Sequence, residues 1–316
     1  MVSPLRIVFF GTPHFAVPSL ESLLGSPHPV VGVVTQPDRP RGRGQRVSEA
    51  PVKALAAAKG LPVFQPARLR DPEVEATLRT WNPDLAVVAA YGRLIPDHLL
   101  TLPPLGMINV HASLLPKYRG AAPVHRAVMA GEPETGVTIM RVIRELDAGP
   151  MFAAVKRPIG PDDTSDVVER DLAALGGRLL VDVVHAMAGG AAHEEPQDEA
   201  LATYAPKITR EDGLIDWNRG GRAIHNQVRG LHPWPHAYTF IEGARLIVLR
   251  TRVEPAAAYP QKPGTIVHAS RDAIHVATGN AEALALEQVQ PEGRRPMSAR
   301  EYLAGRPITA GVVLGR

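Results

Sequence analysis

Short apolar runs alternate with stretches of helical periodicity through the first 111 residues, and no other feature of the chain restricts its fold as strongly. Leu5–Phe10, Val30–Thr35, Leu61–Phe64, Leu85–Ala90 and Met107–His111 read as strands. Between them Phe15–Leu24, Val52–Lys59 and Glu73–Thr80 carry helical patterns. Val30–Thr35 has apolar residues next to one another rather than alternating with polar ones, the pattern of a strand covered on both faces. Strand alternating with helix predicts an α/β fold with a doubly wound, mostly parallel, Rossmann-like sheet. Its site should lie at the carboxyl ends of the strands. The turn after the first strand, Gly11-Thr12-Pro13-His14, does not follow G-x-G-x-x-G. Pro13 and His14 stand where a dinucleotide loop needs a small, pliant backbone, which argues against a nicotinamide or flavin.

The pattern continues with a helix over Val124–Ala130, a strand over Pro150–Ile159 and a long helix over Asp166–Met187 with Leu172, Leu175, Leu179 and Val183 on one face. Composition then shifts abruptly. Residues 190–206 hold four acidic residues and no Lys or Arg, and read as an exposed linker between a domain at 1–189 and a second at 207–316. In the second, Ile224, Val228 and Leu231 predict a helix that His232-Pro233-Trp234-Pro235 ends. Five short strand candidates follow, near Ala237–Ile241, Leu246–Arg252, Thr265–His268, Ala273–Ala277 and Leu284–Val289, and suggest a small β-barrel. Ser298 and Glu301 form a capping box for a last helix ending near Gly305.

The chain has no cysteine, so disulfides, thiolate metal sites and cysteine nucleophiles are excluded together. Its twelve histidines show no H-x-x-E-H spacing, so no metal is expected. Ile7–Phe10 is too short for a signal sequence or a membrane span, and a cytoplasmic address is the expectation. Residues 207–316 carry 15 Lys and Arg against 10 Asp and Glu, a surplus that suits a phosphate-rich partner or simply a soluble basic face. In the first domain, Arg39, Arg41, Arg43 and Arg46 are crowded among Gly42 and Gly44. Mutual repulsion and the glycines predict an irregular arm that orders on a polyanion, with a solvated loop as the plain alternative.

The chemistry concentrates at Met107–Gly120. Asn109 and His111 are two apart on a strand and therefore share a face. Ser113, Leu114, Leu115 and Pro116 cannot extend that strand and should wall the site. Asp147 follows at the end of the next apolar stretch, through Val142 and Ile143, in Leu-Asp-Ala-Gly-Pro.

N-x-H-x-S-L-L-P followed by L-D-x-G-P resembles the signature of the folate-dependent formyltransferases. Phe9–Leu20 (FFGTPHFAVPSL) and Thr35–Gln45 (TQPDRPRGRGQ) are similar to the branch of that family acting on methionyl-tRNA, which also has a C-terminal domain. The resemblance implies transfer of a formyl group from 10-formyltetrahydrofolate to the α-amino group of methionyl-initiator tRNA, by a monomer. It implies Asn109, His111 and Asp147 as catalytic residues. It also implies a pterin pocket lined by Arg93, Leu94, Ile95 and Val142–Asp147 and walled by Ser113–Pro116. The second domain would be an OB-like barrel, and tRNA contacts would come from Lys207 and the arm of Arg39, Arg41, Arg43 and Arg46, with Arg43 foremost.

Formyl transfer to an amine needs a donor for a developing oxyanion, an acceptor for the amine proton and a proton for the leaving nitrogen. Asn109 supplies an amide N–H. His111 exchanges protons near neutrality, and Asp147 can take the amine proton directly or through water. Sequence leaves open which of these two is the base. It also leaves open an amino sugar or nucleotide as acceptor, water as acceptor, and an RNA-binding protein without activity.

Overall fold

The computed structural model describes residues 3–41, 46–254, 260–270, 272–280 and 282–315, with backbone alone for 39–41 and 46–48. The chain divides into two compact units: Met1–Pro123, Glu134–Pro158 and Glu169–Ala205 form the first, Val124–Pro133, Ile159–Val168 and Pro206–Arg316 the second.

In the first unit the strands are β1 (Ile7–Gly11), β2 (Val30–Val34), β3 (Arg39–Arg41), β4 (Arg46–Ser48), β5 (Val63–Phe64), β6 (Leu85–Ala89), β7 (Met107–His111), β8 (Arg119–Gly120), β9 (Glu134–Arg141), β10 (Met151–Pro158) and β11 (Tyr204–Ala205). Seven of them make one sheet in the order β10-β9-β7-β6-β1-β2-β5. From β7 to β5 neighbouring strands are parallel, as the alternation with helices predicts. β9 and β10 add an antiparallel edge. The chain winds outward from β1 through β2 to β5, then returns to β6 and β7, so the order reverses between β1 and β6. A crevice opens at such a reversal, beyond the carboxyl ends of the strands. Val88 is level with Phe10 on one side and Asn109 on the other, which puts His111 at that rim.

The two faces of β7 have different neighbours. Met107 belongs to an apolar cluster with Val8, Phe10, Val34, Leu78 and Val88, and Asn109 and His111 share its face by the period of two. Val110 points the other way, toward the helix Ser165–Ala188. A Cβ on Gly176 of that helix would stand 2.8 Å from Val110 Cγ1, so only glycine lets helix and strand approach this closely. The buried stripe of the helix accordingly runs through Leu172, Gly176, Leu180 and Val183, while Leu175 and Leu179 are only half-buried.

The arginine-rich segment, expected to be irregular, forms a short antiparallel ribbon in which Arg39 pairs with Ser48 and Arg41 with Arg46. Arg43 lies outside the described residues. Cross-links at the root bring the two ends of the ribbon together. Asp38 Oδ1 accepts from Ala50 N at 3.4 Å and from Gln65 Nε2 at 3.1 Å, and its other oxygen pairs with Lys53. Gln36 Nε2 donates to the carbonyl of Tyr91 at 2.7 Å, which ties the same root to the loop after β6.

Residues 190–205, read as a linker, pack within the first unit, because their acidic and amide groups meet arginines there. Glu194 pairs with Arg141, Glu199 with Arg119, and β11 adds to β8.

The second unit holds β12 (Ala237–Ile241), β13 (Ala244–Val253), β14 (Ile266–Ala269), β15 (Ile274–Ala277), β16 (Ala283–Pro291), β17 (Met297–Ser298) and β18 (Leu314–Gly315). They form an antiparallel sheet in the order β14-β15-β16-β13-β12-β18, with β17 paired to β16. Its core gathers Trp217, Ile224, Val228, Val248, Leu286 and Val289. Helix Gly221–Gly230 ends before the His-Pro-Trp-Pro run, and both halves of the Ser298–Glu301 capping box are made. Two bonds, Ile266 N to Val312 O and Leu314 N to Gly264 O, each 2.8 Å, tie the start of β14 to the chain around β18. Among the described residues no helix is long and apolar enough to cross a membrane, and no group of three His, Asp or Glu is arranged to hold a metal.

Candidate active site

β7 delivers Asn109 and His111 to the rim, and the chain then turns back over the imidazole. Thr138 of β9 organises this turn: its hydroxyl donates to Ser113 O at 2.7 Å and accepts from Leu115 N at 3.2 Å. Ser113 Oγ donates to Lys117 O at 2.7 Å, and Tyr118 N donates to Thr203 Oγ1 at 2.8 Å. The carbonyl of Tyr118 is thereby set 3.0 Å from Nε2 of His111. A carbonyl only accepts, so Nε2 carries a hydrogen and the neutral ring keeps its lone pair on Nδ1.

That lone pair faces Asp147. Nδ1 of His111 lies 3.7 Å from Oδ2 of Asp147, and the two side chains are 6% and 14% exposed. The separation exceeds a direct hydrogen bond, and since both atoms are acceptors only a water between them, or a proton on Nδ1, joins them. The same Asp147 oxygen accepts from Gly120 N at 2.9 Å. Asp147 has φ of 51°, a left-handed conformation costing a non-glycine residue on the order of 1 kcal/mol, although Asp is one of the residues that adopts it most readily. No side-chain hydrogen bond to Asn109 forms among the described residues, and its amide is partly exposed on the face it shares with His111.

Next to Met107 of the same strand opens a cavity of about 650 Å³, lined by Leu100, Met107, Val142 and Ile143 among apolar groups and by Asp97, Arg141 and Arg144 among charged ones. Val142 and Ile143 line this cavity, although the strand before them ends at Arg141. Other expected lining residues sit elsewhere. Arg93 Nη1 donates to the carbonyls of Pro66 and Ala67, at 3.2 and 2.7 Å, Leu94 is 78% exposed, and Ile95 packs on the apolar cluster under the sheet. Ser113 is fully buried in its own turn and Leu115 nearly so, while Leu114 packs over Gly136. Ser113–Pro116 therefore wall the His111 turn against β9 rather than line the cavity. Lys207 is exposed in the second unit. Arg39, Arg41 and Arg46 are placed by backbone only.

The sequence reading missed three residues behind Asp147. Gln197 Nε2 donates to Asp147 O at 2.8 Å and to Gly149 O at 2.7 Å. Its Oε1 accepts from Arg119 Nε at 3.0 Å and Nη2 at 2.8 Å. Arg119 is 1% exposed and forks onto Glu199 at 2.9 and 2.7 Å. The Arg119 bond holds the Glu199 carboxyl below the usual carboxylate range, and Glu199 in turn pushes the guanidinium value up. No local motif marks Gln197. The only hint was a run of acid with no base inside it.

Comparison with known proteins places these features in a family. Residues 5–184 match the formyl transferase family and residues 207–307 its C-terminal domain. The methionyl-tRNA formyltransferase of Pelotomaculum thermopropionicum is 47% identical over 311 residues, covering 98% of this chain and 99% of that one. The enzyme of that name from Bacillus subtilis is 44% identical, covering 98% of each. Among solved structures, an N-formyltransferase from Helicobacter canadensis with folinic acid and dTDP-3-aminofucose has a similar fold, with a TM-score of 0.65 at 16% identity, covering 91% of this chain and 99% of that one. Aquifex aeolicus HypX in complex with tetrahydrofolic acid gives a TM-score of 0.59 at 17% identity, over 95% of this chain and 47% of that one.

Proposed function

This chain belongs to the methionyl-tRNA formyltransferase family, and from that premise we propose that it transfers the formyl group of 10-formyltetrahydrofolate to the α-amino group of methionyl-initiator tRNA, the step that prepares the initiator for translation. The observation that carries the mechanism is the setting of His111, with its Nε2–H on the Tyr118 carbonyl and Nδ1 toward Asp147, and with Asn109 two residues earlier on the same strand.

The cavity beside Met107 fits a flat heterocycle, since Leu100, Met107, Val142 and Ile143 offer apolar contact and polar groups stand at its edge. The bound folate supplies the formyl carbon on N10. Asn109 donates from its amide to the formyl oxygen as negative charge develops there. Proton traffic falls to the other pair. Asp147 and the free Nδ1 of His111 form one acceptor site, and the α-ammonium of methionine loses its proton to it, directly or through one water. Once protonated, the ring is held between the Tyr118 carbonyl and the Asp147 carboxylate, and its proton is available to the leaving N10.

The tRNA is held by Arg39, Arg41, Arg43 and Arg46, with Arg43 foremost, and by a basic domain at 207–316 that begins with Lys207. The first unit, into which residues 190–205 pack, carries the chemistry. The second domain is an OB-like barrel, a reading supported by the bonds that tie the start of β14 to the chain around β18. Phosphate contacts dominate its affinity, which falls steeply with salt. A single chain is the working unit, and the cytoplasm is its place.

Single-turnover formylation of methionyl-tRNA tests this. Label from the formyl donor should appear on the methionine nitrogen, and His111→Ala should stop it while tRNA binding persists. Transfer to an amino sugar with none to methionyl-tRNA, or release of formate with no acceptor present, would refute the assignment.

A further inference from the structure

We propose that Gln197 is a positioning residue for Asp147, and that the acidic stretch containing it acts as a brace for the catalytic turn. The proposal rests on the reading of Asp147 as a proton acceptor.

The amide of Gln197 can be oriented in one way only. Its two neighbours on one side, the carbonyls of Asp147 and Gly149, accept, and its neighbour on the other side, Arg119, donates. Nε2 therefore spans both carbonyls of the Leu-Asp-Ala-Gly turn, and Oε1 is fixed by a guanidinium. Arg119 is itself 1% exposed, its guanidinium forks onto Glu199, and its backbone belongs to β8, which pairs with β11. The carboxylate of Asp147 is thus located from two sides. Gly120 N, one residue after Arg119, holds Oδ2. Gln197 holds the backbone in the left-handed conformation that aims the side chain at His111. Without Gln197, two carbonyls of this turn lose their donor and the turn is free to relax toward an ordinary conformation. The carboxylate then no longer faces Nδ1. Misplacement of a reacting group by about 1 Å can cost about 100-fold in rate.

The test compares Gln197→Ala, Gln197→Glu and Asp147→Asn with the double variant Gln197→Ala/Asp147→Asn in the full chain, by steady-state formylation of methionyl-tRNA. Gln197→Glu keeps the shape and an acceptor for Arg119 but presents oxygen to the two carbonyls, so it answers the question if the alanine variant does not fold. Expected for each Gln197 single variant is a fall in kcat of about 10-fold to 100-fold with KM for both substrates within about twofold. The double variant should be no slower than Asp147→Asn, because a brace has nothing left to position. Normal kcat in either folded Gln197 variant would overturn the proposal, as would a double variant slowed by the product of the two single effects or a rise in both KM values. If Asp147→Asn itself turned over normally, the catalytic reading would fall and the proposal with it. A slow Asp147→Asn beside a normal Gln197→Glu would overturn the brace alone.

Discussion

The main-chain carbonyl of Tyr118 stands 3.0 Å from Nε2 of His111 and thereby decides which nitrogen of the ring is free to take a proton. Since the carbonyl cannot donate, the neutral ring is the Nε2–H tautomer and its basic atom, Nδ1, is the one turned to Asp147. The NMR of ¹⁵N-histidine-labelled protein should show His111 with a protonated Nε2 and an unprotonated Nδ1 at high pH. The opposite tautomer would contradict the proton path described above.

Asn109→Ala removes the donor for the developing oxyanion without touching the proton pair. A fall in kcat of about 10² to 10³-fold is expected, with the affinity for a non-reactive folate nearly unchanged. Parallel titration of folate binding and single-turnover rates separates the two effects. Full turnover would remove Asn109 from the mechanism.

Val142→Trp fills part of the cavity of about 650 Å³ that Val142 shares with Met107 and Leu100. KM for the formyl donor should rise on the order of tenfold, since overpacked pockets cannot relax at low cost, while KM for the tRNA stays put. An unchanged donor KM would place the folate elsewhere.

Asp38→Ala unties the root of the arginine ribbon, releasing Lys53, Gln65 Nε2 and Ala50 N together. KM for methionyl-tRNA should increase about tenfold, the size expected when charge-assisted bonds that order a binding element are lost. Donor KM should hold steady. A matching loss of donor binding would indicate general damage to the sheet.

Acid should destabilise the fold before any carboxylate titrates. Burial lowers His28, His125, His236 and His275 below the ordinary histidine value of about 6.5, helped by His185 at His28, Arg126 at His125, and His232 and Arg245 at His236. Between the lowered values and about 6.5 the unfolded chain binds more protons than the folded one, so stability is complete above this window and declines as pH falls through it. The thermal midpoint should drop from pH 7 to pH 5, and less so in His125→Gln. A flat profile would argue against neutral histidines in the fold.

Much of this molecule was legible in its sequence, and the part that was not has a common physical character. Periodicity of two and of 3.6 sets which residues share a face, so the parallel sheet, the strand carrying Asn109 and His111, and the helix through Ile224 and Val228 could all be read locally. The pairing of 39–41 with 46–48 is not legible in the segment's own composition, because Asp38, Lys53 and Gln65 tie its root together. Leu175 and Leu179 were expected in the buried stripe, but glycine at 176 and 177 draws the helix onto β7 along a neighbouring line. Only the folded chain decided the protonated nitrogen of His111, the left-handed turn at Asp147 and the brace from Gln197. Each depends on a partner whose distance along the chain carries no periodic signal, 27 residues for Gly120 and Asp147 and 50 for Gln197 and Asp147. A hydrogen bond of that kind is a product of where the chain returns, and a pattern of neighbours cannot encode it.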